Sequence, residues 1–239
     1  MRLLSAPVLH QVQLRYDALR DVGTGRLVVL LADVVWVHPT WGDLPADDAW
    51  SAAERAGVQG VLRRWLLTQA CRDAAAFPAT VGVGVRLPGD LTVAETLAED
   101  VADALAAGGL SPERLALCFP EQLLRHAPVL RAVHDAGVRL VLTDPGPGTH
   151  LGGLPTEVPL DAVVVSLGAT GGPDHALRVL RGTSAAEVGG WVATVPADVE
   201  TPDLPTRVGT LGLRAMTGPL LPSGLTAAEA AARLAPQPA

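Results

Sequence analysis

The chain has 239 residues, 49% of them hydrophobic and 18% charged, which supplies ample material for a core and excludes a disordered chain. Its formal net charge of -7 excludes a sequence-independent nucleic-acid surface, which needs clustered Lys and Arg to displace counterions. Length and even composition point to one domain over residues 1–239, about the size of one α/β barrel.

Val8 to Leu19 reads as a first strand, closed by the Asp21-Val22-Gly23-Thr24-Gly25 turn, whose two glycines suit a hairpin. Leu27 to Val37 is then a second strand, antiparallel to the first, with valine and leucine on both faces as in a strand covered on two sides. Asp33 alone interrupts it; a buried carboxylate is expensive unless paired, so Asp33 should lie at the strand's end or have a partner. After a His38–Gly42 loop, Asp47 or Asp48 can cap a helix reaching Ala56. Val58 to Ala76 forms another, with Val61, Leu62, Trp65, Leu66 and Ala70 at helical spacing on one face.

From there strands and helices alternate. Thr80 to Leu87 reads as a strand, Val93 to Ala107 as a helix stopped by Gly108-Gly109, and Leu115 to Phe119 as a short strand. Glu121 to Ala136 reads as a helix ended by Gly137, Val138 to Leu142 as a strand, and Asp144 to Pro159 as a proline- and glycine-rich loop. Ala162 to Leu167 and Trp191 to Val195 are strands, Asp174 to Arg181 and Pro202 to Leu211 helices, Arg214 to Met216 a minimal strand, and Thr226 to Leu234 a closing helix. Strands separated by such helices pair in parallel through right-handed crossovers, and about eight of them suit a closed barrel. The fold class expected is therefore α/β, a TIM-like barrel of eight β/α units with an antiparallel first strand, its site at the C-terminal strand ends.

The cysteines, Cys71 and Cys118, are too few for a disulfide scaffold and read as small buried apolar residues. MRLLSAPVLH has no secretory pattern and no run approaches about 18 apolar residues, so no membrane span and a cytoplasmic location are expected. Lys, Ile and Asn are absent throughout, which is the mark of codon bias and warns against reading meaning into any one missing Lys or Asn.

GRLVVLLADVVWVHPTWGDLP resembles the opening of the EAL family of cyclic di-GMP phosphodiesterases, G-x-hydrophobic-x-x-x-E-A-L-x-R-W-x-H-P-x-x-G-x-hydrophobic-P. Further segments follow in that family's order: SPERLALCFPE is similar to PERLxLExTE, VRLVLTDPGPGTHLGGL to a strand followed by DDFGTGxSSLxxL, and PLDAVVVSLG to PVDxLKID. VPADVET is similar to AEGVET and LGLRAMTGPLL to LGxxxxQGYxF, so the likeness covers nearly the whole chain. The resemblance implies a TIM-like barrel that hydrolyses one phosphodiester bond of cyclic di-GMP with two divalent cations on carboxylate-rich ligands.

Carried over residue by residue, the resemblance implies that this chemistry has been removed. The Glu of the E-A-L triplet falls at Leu31, the Arg after it at Val35, and the Asn ending the third strand at Arg86. The next strand's Glu falls at Cys118, the first Asp of the D-D pair at Thr143, and the Lys and Asp of K-I-D at Val164 and Ser166. The Glu of A-E-G falls at Ala197, the Gln of Q-G-Y at Thr217, and an early Gln-Pro pair at Asp17-Ala18. Glu121, Asp144, Gly146, Gly148, Glu200 and Gly218 are retained. Neither a catalytic set nor a resident metal or other cofactor is then expected. Arg86 would pair with Asp144 or Glu121 where the metals used to be, or meet an anionic ligand together with Arg139.

His38 reads as a loop residue rather than a base, and His150 as an ordinary loop histidine. Pro145 and Pro147 remove two N–H donors that a phosphate cradle in the Asp144–Gly153 loop would need. Trp41, Trp50, Trp65 and Trp191 read as core or interface residues. The expected function is that of a catalytically inactive EAL-like module that binds a protein partner in signalling, with a homodimer as a further association the family implies. The alternative is a sensor that binds cyclic di-GMP or a related nucleotide without cutting it, and active hydrolysis ranks third.

Overall fold

The structure is a computed structural model that describes residues 9–89, 96–144, 158–166, 191–194, 214–218 and 221–234. Nine strands are found among them: β1 (Val12–Asp21), β2 (Leu27–His38), β3 (Gly42–Leu44), β4 (Gly82–Arg86), β5 (Leu115–Pro120), β6 (Arg139–Thr143), β7 (Ala162–Ser166), β8 (Trp191–Thr194) and β9 (Ala215–Thr217). β2 and β4 through β9 pair in parallel in chain order, and β1 pairs antiparallel with both β2 and β9, joining the two ends of the run. This is the α/β barrel-like architecture expected, antiparallel first strand included.

The β1–β2 hairpin turns where Asp21 Oδ1 accepts hydrogen bonds from the Thr24 N–H and hydroxyl, each at 2.7 Å, and Gly25 takes a left-handed φ of 68°. β1 starts at Val12 rather than Val8, after a 3-10 turn at Leu9–Gln11. β3 begins at Gly42, the last residue of the expected His38–Gly42 loop, and runs to Leu44: three residues are too few to show a strand period, but they pair with the end of β2, Trp36 opposite Leu44.

The α-helices among the described residues are α1 (Ala46–Arg55), α2 (Gln59–Ala75), α3 (Leu97–Gly108), α4 (Ala127–Asp135) and α5 (Ala227–Leu234). Pro45 occupies the cap position of α1, and Asp47 and Asp48, expected as caps, lie in its first turn, where their charge favours the helix dipole. The apolar residues α2 buries are Leu62, Leu66, Leu67, Ala70, Cys71 and Ala74, alongside the polar Gln59 and Arg63; Val61, expected on that face, is exposed, and Trp65 is half-buried. The helix expected over Glu121–Ala136 is a 3-10 segment at Glu121–His126 followed by α4. Pro128 explains the break, since it has no N–H to return to the carbonyl of residue 124. At α5 the Thr226 and Glu229 side chains cap each other's backbone N–H groups at 3.2 and 2.8 Å. The helices expected over Asp174–Arg181 and Pro202–Leu211 lie outside the described residues, as does most of the Asp144–Pro159 loop.

Apolar side chains form two groups. The larger lies between sheet and helices and includes Leu30, Ala32, Val34 and Trp36 of β2 with the inner face of α2. The smaller fills the barrel: Leu19, Leu31, Ala116, Cys118, Val141, Val164 and Ala215. Arg114, in the segment resembling PERLxL, ties the end of α2 to β4 by donating to the carbonyls of Ala74, Phe77 and Val81. α3 ends on Gly109, whose φ of 64° suits a glycine cap. Just before it, α2 and α3 meet so closely that a Cβ on Gly108 would lie 2.6 Å from Cys71 Cβ. Gly108→Ala is therefore expected to lower the unfolding free energy by about 1–3 kcal/mol through overpacking, read by urea denaturation.

Candidate functional site

Strand alternation decides which side chains enter the barrel. On β2 it places Leu31 inside, so Asp33, two residues on, points the same way one step nearer the C-terminal mouth. On β4 the inward positions are Gly84, whose missing side chain leaves room for Leu31, and Arg86. A cavity of about 560 Å³ opens at this mouth, with Asp33, Arg86, Cys118, Thr143, Asp144 and Val164 in its wall. A second, of about 490 Å³, shares Asp33 and Arg86 and adds Arg15, Asp17, Val35 and Asp43.

Arg86 lies between the two cavities. Its Nη2 is 3.6 Å from Asp17 Oδ2 and its Nη1 is 3.5 Å from Asp33 Oδ2, so one guanidinium links β1, β2 and β4. These are its partners, where the sequence pointed to Asp144 or Glu121. Asp33 is thus paired, as a carboxylate inside a strand must be, although it lies within β2 and not at its end. Burial pushes the Asp33 carboxyl up to about 6 despite the opposing effects of Arg86 and of the Val34 N–H, which donates to it at 2.8 Å. Burial likewise pushes the Cys118 thiol up to about 12, so it remains protonated at neutral pH.

The positions singled out in the sequence are partly brought together. Arg86, Cys118, Thr143 and Val164, from four consecutive strands of the barrel, face one cavity, and Leu31 packs beneath them beside Cys118 and Val164. Val35 lines the second cavity and Thr217 is buried at the end of β9. Of the retained residues, Asp144 lines the mouth and holds a φ of 43°, a left-handed conformation that Asp tolerates better than most side chains. Glu121 opens the 3-10 segment just after Pro120, which lines the cavity. Gly146, Gly148, His150, Ala197 and Glu200 lie outside the described residues. Arg139 begins β6 at the opposite end of the barrel from Arg86, so the two cannot share a ligand.

Asp33 is a mouth residue that sequence reasoning did not assign to the site, and Asp17 entered only as the position where the resemblance's early Gln falls. The signal was the two-residue period: counting from Leu31 places Asp33 on the inner face, and the hairpin register sets Asp17 opposite Leu31. His38 is structural: its Nδ1 accepts the N–H groups of Thr40 and Trp41, at 3.1 and 3.2 Å, and its ring stacks on Trp41. Trp50 is buried and Trp41 is 59% exposed, so Trp41 does not belong to the core.

A parallel β/α barrel closed by an antiparallel strand, with a polar cleft at the C-terminal strand ends, defines a TIM-barrel-like protein whose site lies at that mouth. The EAL domain model matches residues 2–220, and the chain belongs to this family. Its sequence is similar to the uncharacterized protein y4lL of Sinorhizobium fredii, 26% identical over 232 residues that make up 94% of this chain and 28% of that protein. It is also similar to the cyclic di-GMP phosphodiesterase NbdA of Pseudomonas aeruginosa, 29% identical over 164 residues, 65% of this chain and 21% of that protein. The chain thus spans less than a third of the length of these curated relatives. Among solved structures, the PaMucR phosphodiesterase in complex with c-di-GMP superposes with a TM-score of 0.79 at 22% identity, over 94% of this chain and 96% of that one. No helix of the described residues is long and apolar enough to cross a membrane.

The divalent cations implied by the resemblance can be tested against the donors at the mouth. Such ions need ionised oxygen ligands converging on one point. Here Leu31 and Val164 offer no donor atom, Cys118 holds its proton, and the Asp17 and Asp33 carboxylates are turned on Arg86. A divalent ion about 4 Å from that guanidinium would be repelled by roughly 8 kcal/mol at an effective dielectric constant of 20, less where the mouth is open to water. Among the described residues no three His, Cys, Asp or Glu side chains form a metal-binding group. The described donors do not fit a two-metal centre.

Proposed function

We propose that this chain is an EAL domain that has lost phosphodiester hydrolysis and acts as a regulatory, protein-interaction module in cyclic di-GMP signalling. The observation that carries this reading is Arg86, a fixed cation held between Asp17 and Asp33 at a mouth where Cys118, Thr143 and Val164 also line the cavity. Hydrolysis needs a water activated by a metal or by a free base; among the described residues no three side chains form a metal-binding group, and the two carboxylates beside Arg86 are engaged by its guanidinium. The apolar and thiol side chains at the positions of the family's acids belong to the packed barrel interior, where they contribute to stability.

A module is favoured over a nucleotide sensor by the charge of the mouth. Around the two cavities Arg15 and Arg86 are outnumbered by Asp17, Asp33, Asp43, Asp47 and Asp144, and a ligand carrying two phosphates meets a repulsive field there. The test is to incubate the purified protein with cyclic di-GMP and magnesium or manganese, following the linear dinucleotide and the heat of binding in the same samples. No product and no heat are expected. Binding in the micromolar range without product would replace the module by a sensor, and rapid product would overturn the loss of catalysis itself.

A further inference from the structure

We propose that Arg86 is a built-in counter-cation that holds the mouth's carboxylates in place and closes the mouth to divalent metal ions. The inference rests on the reading of a non-hydrolysing barrel and names the residue that keeps it so.

The geometry supplies the argument. Asp17 and Asp33 come from two antiparallel strands whose register sets Asp17 opposite Leu31 and Asp33 opposite Arg15, so both carboxylates rise from adjacent inward positions of the mouth. Side by side and partly desolvated, they repel one another, and Asp17 raises the cost of ionising Asp33. A cation between them relieves this. Arg86 reaches that place from β4, and its two terminal nitrogens are divided between the two carboxylates, one to each. Those acceptor oxygens are the ones a hard divalent ion would require, and they are already committed to a cation that cannot lose its charge. Neighbouring groups do not supply a rival cation at the same point: on β1 Arg15 is directed to the Leu14 carbonyl, and β5 and β7 contribute Cys118 and Val164. Asp43 and Asp144 stand on the cavity walls, where they add to the pull on any cation that replaces the guanidinium.

The prediction is a gain of metal binding on removal of one side chain. Manganese is titrated, without nucleotide, into the full chain and into Arg86→Gln, Arg86→Lys and the double variant Arg86→Gln/Asp33→Asn, using calorimetry and the paramagnetic resonance signal of the free ion. Arg86→Gln is expected to bind one Mn²⁺ at least tenfold more tightly than the unsubstituted chain, and Asp33→Asn in that background to abolish the gain. Arg86→Lys, which keeps the charge, is expected to stay within twofold of the unsubstituted chain. Equal affinity in the unsubstituted chain and Arg86→Gln, a gain that survives Asp33→Asn, or an equal gain in Arg86→Lys would each overturn the proposal. If the glutamine variant does not fold, Arg86→Met, uncharged and of similar reach, gives the same comparison. Unchanged manganese affinity with no nucleotide product would sink this inference alone, whereas product from the unsubstituted chain would sink the functional reading beneath it.

Discussion

Asp100→Ala is expected to lower the unfolding free energy by about 3–5 kcal/mol, because it removes the carboxylate that faces a buried guanidinium between two helices. Arg63 of α2 and Asp100 of α3 have side chains only 2% and 5% exposed, and Arg63 Nε donates to Asp100 Oδ2 at 2.8 Å. Arg63 Nη2 donates to the same oxygen and, at 2.7 Å, to Thr96 Oγ1. For a chain of this size each kcal/mol moves the thermal midpoint by roughly 2–4 °C, so the midpoint should fall by roughly 6–20 °C. Arg63→Ala should cost less, since Arg64 Nη1 lies 3.7 Å from Asp100 Oδ1 on the solvent side and can take over part of the compensation. The double variant Arg63→Met/Asp100→Leu, apolar and similar in volume, should recover most of the loss. Guanidinium denaturation of the four proteins at one pH checks the series. A loss below about 1 kcal/mol in Asp100→Ala would show that the pair is hydrated and contributes as little as a surface ion pair.

That ion pair also marks a limit of what the sequence shows. Arg63 stands beside Leu62 in a helix whose buried face repeats through Leu66, Leu67 and Ala70, and a hydrophobic-stripe reading assigns every arginine to solvent. Only the approach of α3, pressed close by Gly108 against Cys71, encloses it. The strands were legible because valine runs and turn residues bound them, and the antiparallel opening because Gly23 and Gly25 bracket a tight turn. β3 was not, since three residues carry no period. The helix over Glu121–Ala136 was legible as a segment but not as two, because Pro128 was read as part of the helix and not as its boundary.

The site divides in the same way. The spacing of the EAL-like segments placed Arg86, Cys118, Thr143 and Val164 at equivalent strand ends, and the parallel register of β4 through β7 brings them to one cavity. The partners of Arg86 could not be read off, because they depend on the stagger among β1, β2 and β4. A pattern within one strand gives which face a residue occupies and not how far along the barrel axis it sits. Asp33 was visible as an interruption in an apolar strand, and the cost of burying its carboxylate required a partner, but the partner's identity is a tertiary fact.

The same carboxylate makes stability depend on pH in an unusual direction. Asp33 is pushed up to about 6 from its ordinary 3.8, chiefly by burial, with Asp17 adding to the shift and Arg86 and the Val34 N–H opposing it. The folded chain therefore holds this proton more tightly than the unfolded chain does. Its contribution to stability is fully present below about pH 4 and is lost as pH rises through about 6, opposite in sign to the usual salt-bridged carboxylate. A shift of about two pKa units corresponds to roughly 3 kcal/mol, an upper value because the side chain is 25% exposed. Asp33→Asn cannot ionise in either state, so subtracting its stability from that of the unsubstituted chain cancels every other titrating group and leaves the Asp33 contribution. Relative to the unsubstituted chain, Asp33→Asn should become more stable by roughly 2–3 kcal/mol between pH 4 and pH 7.5, with most of the change between pH 4 and 6.5 and a plateau above. Arg86 would retain Asp17, at 3.6 Å, so its charge stays partly compensated in the variant and the pH-independent offset between the two proteins stays small. Urea denaturation of both proteins at half-unit intervals across this window reads the difference directly. A flat difference would mean that water at the mouth solvates Asp33 well enough to keep it ionised throughout, while a difference of the opposite slope would mean that Arg86 outweighs burial and holds the carboxyl below its ordinary value.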